Sequence, residues 1–362
     1  MPQTPCRRIA RSARVLLAPG LIVAGLFLLG GHPAEARACP AALYEQLRRA
    51  ADPRAGPLEI DCDVTLGPGD TVVRPLAFSG AKASGSVLDC RGATLGSKKI
   101  KARYDRPTVM IRSLEGVDGH WSVPRSITVK NCMIVGNLRL AGMGLNGQAE
   151  RLRLSSLKAG HTERAQAAAP TEIVLDNLDF VSDGALPLYL GPGVTRVTVS
   201  GSRFSGRSKA TALYLDAESA ANRIVGNRFA MTTTRREQIA VDGSARNEIS
   251  GNIFENAMNG GIFLYRNAGE GGTIRHQAPE HNRIEGNIFR YESMIRPRPA
   301  IWLNQRNGRT THRLEAPDLP LGSSLDPRDL ARFNIVRGNH IIGGWTGLIR
   351  STDPTNDVVD ND

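Results

Sequence analysis

The sequence predicts an all-β solenoid with coils of about 25 residues. Two observations carry that expectation. An octapeptide pattern recurs: Asn-Arg-Ile-Val-Gly-Asn-Arg-Phe at 222–229, Asn-Glu-Ile-Ser-Gly-Asn-Ile-Phe at 247–254, Asn-Arg-Ile-Glu-Gly-Asn-Ile-Phe at 282–289 and Asn-Ile-Val-Arg-Gly-Asn-His-Ile at 334–341, with looser copies ending at Phe180 and Phe204. The closing apolar positions are spaced by 24, 25, 25, 35 and 52 residues, a short period with long insertions. Between the copies lie short alternating segments at 186–190, 212–216, 238–242, 261–265, 300–304 and 347–351, so each coil holds two or three strands joined by tight turns. The unit is too short and too rich in Gly and Asn for paired helices.

Composition agrees. Of 362 residues, 38 are Gly and 21 Pro, which suits many turns; 41% are apolar and 22% charged, which excludes a fully disordered chain. Aromatic residues are only 5%, so aliphatic side chains must fill most of the core. Gly supplies positive φ at the turns. Asn tolerates the left-handed conformation and bonds to a neighbouring amide, so it can stack as a ladder.

Along the chain, residues 1–38 read as a secretory signal peptide: Arg7, Arg8, Arg11 and Arg14, then an apolar stretch from Val15 to Leu29, then Ala36-Arg37-Ala38 as a small-x-small cleavage site. Its removal leaves 41 basic and 34 acidic residues, a net +7, in a protein expected to be periplasmic or secreted, with no membrane span and no nucleic-acid partner. Cys39, Cys62, Cys90 and Cys132 remain, an even number without a Cys-x-x-Cys, so disulfides are expected rather than zinc; four cysteines allow three connectivities. Residues 40–51 read as an amphipathic helix that caps the open end of the solenoid, the solenoid domain running over 39–362.

These repeats resemble the right-handed parallel β-helix superfamily, the pectate-lyase-like group that includes polysaccharide lyases and alginate C5-epimerases. The resemblance is clearest over 171–351 and extends back to about residue 60 through Val87-Leu-Asp-Cys-Arg-Gly and Ile127-Thr-Val-Lys-Asn-Cys. It implies a single-stranded right-handed parallel β-helix. If those two segments are one column of adjacent coils, stacked roughly 4.8 Å apart, the resemblance also implies the pairs Cys90–Cys132 and Cys39–Cys62.

With Leu213 and Leu215 facing the core, alternation turns one column outward at Tyr189, Tyr214, Ala240, Phe263, Trp302 and Ile349, and a second at Asp216, Asp242, Tyr265, Asn304 and Ser351. An aromatic stripe beside an acidic one predicts a groove that stacks sugar rings, with Tyr189, Tyr214, Phe263, Trp302, Asn304 and Arg306 as substrate-binding residues. The insertions 266–281 and 305–333 follow one strand column and should wall the groove; they carry Arg266, Arg275, His276, His281, Arg306, Arg309, His312 and Arg313. Arginine suits a uronate carboxylate, so the expected partner is an anionic polysaccharide.

Asp216 and Asp242 on successive coils can act as a carboxylate pair or hold Ca²⁺, and Tyr265, Arg266, Arg275 or His276 can move the C5 proton in β-elimination or epimerisation. Lyase or epimerase chemistry is favoured over hydrolysis. The alternative is a non-catalytic carbohydrate-binding or surface-structural β-helix. No oligomerisation segment is visible, so a monomer is expected. Asp326-Pro-Arg-Asp329 matches three of four positions of the epimerase Asp-Pro-His-Asp motif but has Arg328 for the His. P-loop, Gly-x-Ser-x-Gly, His-Glu-x-x-His and Gly-Gly-x-Gly-x-Asp motifs are absent, which removes NTPase, serine-hydrolase, zincin and calcium-repeat readings.

Overall fold

Each coil passes through three parallel sheets in turn. The computed structural model describes residues 37–49, 55–99, 103–309 and 319–362; the signal segment falls almost wholly outside these residues, as do His312 and Arg313. All belong to the compact unit Ala36–Asp362. Among the described residues, sheet A has ten strands from Leu58–Glu59 to Ile349–Arg350, sheet B ten from Val64–Thr65 to Asp357–Val359, and sheet C nine from Thr71–Val72 to His340–Ile342. Every neighbouring pair in these sheets is parallel and pairs one coil with the next, as Leu213↔Ile239↔Ile262↔Ile301 does in sheet A. This is a parallel β-helix.

The inner columns form its core. In sheet C, Phe180, Phe204, Phe229, Phe254 and Phe289 are in register and fully buried, with stacked ring centroids 4.7, 4.6, 4.9 and 4.6 Å apart. The spacing of about 25 residues is thus the length of chain needed to bring each Phe back above the last.

The corners explain the Asn and Gly. At the corner from B to C, the left-handed residue is Asn131 or Asn177 in early coils and Gly201, Gly226, Gly251, Gly286 and Gly338 later. The Asn that follows each later Gly, beginning at Asn227, forms a ladder. Asn227 N–H and Nδ2 both donate to Asn252 Oδ1 at 2.9 and 3.0 Å, and Asn252, Asn287 and Asn339 repeat this onto Asn287, Asn339 and Asn361. A second ladder runs through Asn222, Asn247, Asn282, Asn334 and Asn356 at the corner from A to B. Here the left-handed position is not the Asn itself but the residue before it: Ala221, Arg246, His281 and Phe333. The ladders satisfy corner amides that would otherwise be buried without partners.

The capping helix is Ala41–Arg48 and buries Leu43 and Leu47 against the first coils. Both expected disulfides form: Cys39–Cys62 with Cα atoms 5.2 Å apart and Cys90–Cys132 with 4.9 Å. Register corrects one expected column. Trp302 pairs with Arg350, not Ile349, so Ile349 sits in line with core residue Ile301, and Ser351 leaves the column of Asn304. A one-residue offset exchanges the two faces of a strand.

Four long segments interrupt the coils, and all leave sheet A before sheet B: a hairpin with strands Leu114–Glu115 and Trp121–Ser122, residues 142–170 with helices Glu150–Ser156 and His161–Ala167, and the segments 266–281 and 304–333. They rise along one edge of the solenoid.

Candidate functional site

Sheet A is the face these segments meet, and most of its outward side chains named below are buried. Strand register places Arg139, Tyr189, Tyr214, Ala240, Phe263, Trp302 and Arg350 in one outward column, and Asp242 beside Tyr265 in the next. The expected open groove is not what stands over the acidic column. Asp216, Asp242, Tyr265, Arg266, Arg275 and Asn304 are all buried, as are Tyr189 and Phe263. The long segments fold back over the sheet and are knit to one another. Arg275 N–H donates to Ser323 Oγ at 2.9 Å, its Nη1 donates to Gly147 O at 3.1 Å, and Ile274 N–H donates to Ser156 Oγ at 3.0 Å.

Beneath that cover lies a charged cluster. Tyr189 OH donates to Asp216 Oδ2, and Ala217 N–H donates to Asp216 Oδ1 at 2.8 Å. Tyr214 OH donates to Asp242 Oδ2 at 2.7 Å; Asn267 gives Asp242 its N–H at 2.8 Å and its Nδ2 at 2.7 Å. Burial pulls the Arg275 guanidinium down, but Asp216, Asp242 and Glu270 outweigh it and hold Arg275 above its ordinary value. Burial raises Asp216 to about 6; Arg275 opposes the rise and Asp242 adds to it. The phenols of Tyr189, Tyr214 and Tyr265 are raised well above 10.0, first by burial and then by the carboxylates beside them.

Donors therefore occupy all four oxygens of Asp216 and Asp242, and a guanidinium supplies the compensating charge. The pair does not fit Ca²⁺, which needs six to eight oxygen ligands with several free to face it. Among the described residues, no group of three or more His, Cys, Asp or Glu could hold a metal ion.

The raised Asp216 has a thermodynamic consequence. A carboxyl that titrates at about 6 when folded and at 3.8 ordinarily keeps a proton that the unfolded chain has lost. Its contribution to stability is full at low pH and is lost as pH rises through the folded value. Asp216→Asn should therefore flatten the fall in urea midpoint between pH about 4 and about 7; a slope equal to that of the unaltered protein would show that Asp216 is not the group responsible.

The other expected residues divide between the cover and its flank. His276 serves the cover: its Nε2 lies 2.8 Å from Ser156 O, its ring packs edge-on to His161, and its N–H donates to Glu218 Oε1 at 2.7 Å. Arg266 binds the carbonyls of Asp326 and Arg328. Asp329 accepts the amides of Arg266, Arg306 and Asn307, so the Asp-Pro-Arg-Asp string anchors a loop.

Trp302 and Arg306 remain partly exposed at the flank of sheet A, and Tyr214 is half-buried at its border, with its OH beneath the cover. There three guanidinium groups lie over aromatic rings: Arg298 on Phe263 at 4.8 Å, Arg306 on Tyr265 at 4.2 Å and Arg350 on Trp302 at 5.1 Å. Among the described residues, neither Arg306 nor Arg350 has a carboxylate partner. Beside them Tyr265 OH donates to Glu237 Oε1 at 3.0 Å and accepts from Arg236 at 2.7 Å.

Sequence reasoning missed Asn267, Glu218, Glu237, Arg236, Arg298 and Arg350. Arg350 lay one register step from the position chosen. Arg139 shares the column of Tyr189 and was reachable once the coil before residue 170 was in register. The others sit in corners and insertions, where alternation gives no orientation.

Residues 117–291 match the family described as right handed beta helix region. Among solved structures, the Dettilon tailspike protein (gp208) is similar at 12% identity with a TM-score of 0.22, over 79% of this chain and 56% of that one. This chain thus spans little more than half of that protein's length. No curated protein matches.

Proposed function

From a right-handed parallel β-helix with the acidic column of sheet A covered and an arginine-rich aromatic flank beside it, we propose that the protein binds an anionic, uronate-containing polysaccharide along that flank. The observation that carries the reading is the row of Arg298, Arg306 and Arg350 over Phe263, Tyr265 and Trp302. The exposed parts of the Tyr214 and Trp302 rings offer stacking surface to sugar rings, and Arg306 and Arg350 offer unpaired fork donors to carboxylates. In this proposal the protein works as an exported monomer, periplasmic or secreted, and its two disulfides suit an oxidising compartment. No helix among the described residues is long and apolar enough to cross a membrane.

Calorimetric titration with polygalacturonate, alginate and neutral dextran tests it. Trp302→Ala with Arg306→Ala should weaken binding of the charged polymer about tenfold or more, the loss of one stacked ring and one charged pair. Equal binding of dextran and both uronates, or no effect of the double variant, would overturn the proposal.

A second reading, turnover by β-elimination or C5-epimerisation, is favoured by one observation: the phenols of Tyr214 and Tyr265 lie just beneath the cationic flank, each hydrogen-bonded to a carboxylate. With values raised above the usual phenol range they stay protonated near neutral pH, so they suit proton delivery rather than abstraction. Ultraviolet absorbance of a new C4–C5 double bond, and NMR of the same polymers for inverted C5 centres, decide this. Turnover that survives Tyr214→Phe and Tyr265→Phe would remove both phenols from the chemistry.

A further inference from the structure

A second concavity lies at the corner where sheet C leads into sheet A, and it shares no residue with the aromatic flank described above. Three strands of sheet C, Asp179–Gly184, Arg203–Ser208 and Arg228–Thr233, run six residues, whereas the other strands of that sheet have two or three. The first two help line a cleft of about 530 Å³, together with Ser97, Lys98 and Arg103. That volume falls within the roughly 300–1,000 Å³ typical of ligand sites.

The lining is divided by chemistry. Its floor is formed by Val135, Val181 and Ala185 with bare backbone at Gly136, Gly184 and Gly206. Gly206 has φ 88°, and a Cβ there would lie 2.2 Å from Ser182 O, so the extended strand can exist only with that stretch of floor stripped of a side chain. The rim carries Lys98, Arg103, Arg207 and Lys209 against a single carboxylate, Asp183. Arg103 is paired with Asp105 at 3.0 Å, while Lys98, Arg207 and Lys209 have no ion pair among the described residues.

We infer that this cleft is a second binding site, for an oligosaccharide segment bearing carboxylate or sulfate groups. The apolar floor receives the C–H face of a sugar ring, and the three rim cations without an ion pair among the described residues receive its anionic substituents. A neutral sugar would leave those cations unanswered. A compact anion such as phosphate would leave the apolar floor unused. The inference stands whether or not sheet A binds sugar, since neither the residues nor the geometry are shared.

The test uses the full chain and three probes: polygalacturonate fragments for carboxylate, dextran sulfate for sulfate and plain dextran as the uncharged control. Arg207 and Lys209 are exposed, so Arg207→Glu with Lys209→Glu should keep the unfolding temperature. It should weaken binding of at least one charged probe about tenfold, with a loss that shrinks as salt is raised. The probe that responds names the substituent. Ala185→Arg separates a shaped cleft from diffuse attraction: it fills the floor while adding positive charge, so a cleft predicts weaker binding and diffuse attraction predicts tighter. Tighter binding by Ala185→Arg, or unchanged binding of both charged probes by the double reversal, overturns the inference. Loss seen only in Trp302→Ala with Arg306→Ala keeps the sheet A proposal and removes the cleft. Loss seen only in the charge reversal does the opposite.

Discussion

Arg275→Met should destabilise the protein by about 3–5 kcal/mol at neutral pH, because removing one partner of a buried ionic cluster leaves the others uncompensated. Arg275 is fully buried, and it is the cation that answers both Asp216 and Asp242. Its side chain also ties two of the segments that cover sheet A together through the Nη1 bond to Gly147 O, which methionine would lose. Methionine fills similar space without charge, so the loss measures electrostatics more than a cavity. The deficit should shrink as pH is lowered, since protonating the orphaned carboxylates removes the buried charge. Urea unfolding at several pH values measures both effects. A change below about 1 kcal/mol at neutral pH would mean that water reaches the cluster and screens it.

Phe229→Ala should cost about 3–5 kcal/mol, the range for deleting a buried aromatic ring. Phe229 is the middle of five rings, with centroids 4.6 Å from Phe204 and 4.9 Å from Phe254. In a solenoid each coil touches only its neighbours, so the damage should stay local. Hydrogen exchange should accelerate in the coils holding Phe204, Phe229 and Phe254, and not around the capping helix at Ala41–Arg48. Uniform acceleration over the whole chain would indicate a single cooperative unit. Phe229→Leu should cost much less, about 1.5 kcal/mol or below, because it keeps most of the buried volume.

The scaffold was legible because its constraints repeat. A Phe returning at 24, 25, 25 and 35 residues, an Asn after a Gly at one corner, and strict alternation between them leave few arrangements that bury the rings and pair the amides. The Cys90–Cys132 pair followed from the coil stacking that the resemblance implied. The site was less legible for a related reason. Alternation correctly turned Tyr214, Asp242 and Phe263 away from the core, but says nothing about what lies above them. Whether Asp216 meets solvent or Arg275 depends on non-repeating segments, whose path is fixed by single bonds such as Ile274 to Ser156, 118 residues apart. The slip at Ile349 has the same origin: it follows the longest insertion, where counting from the previous strand loses its anchor.

All four insertions depart from one corner, and that has a consequence for how the molecule tolerates change. The corner from B to C carries a fixed left-handed turn and a directional relay of amides, so adding or deleting one residue there would throw every later column out of phase. The corner after sheet A absorbs from a few to about thirty residues and returns the chain to the same column each time. Pitch and decoration are therefore separable. Segments at this corner differ in length and path while the rod beneath keeps its dimensions, so the edge can be rewritten except where a segment supplies the partners of buried carboxylates, as 266–281 does through Asn267 and Arg275.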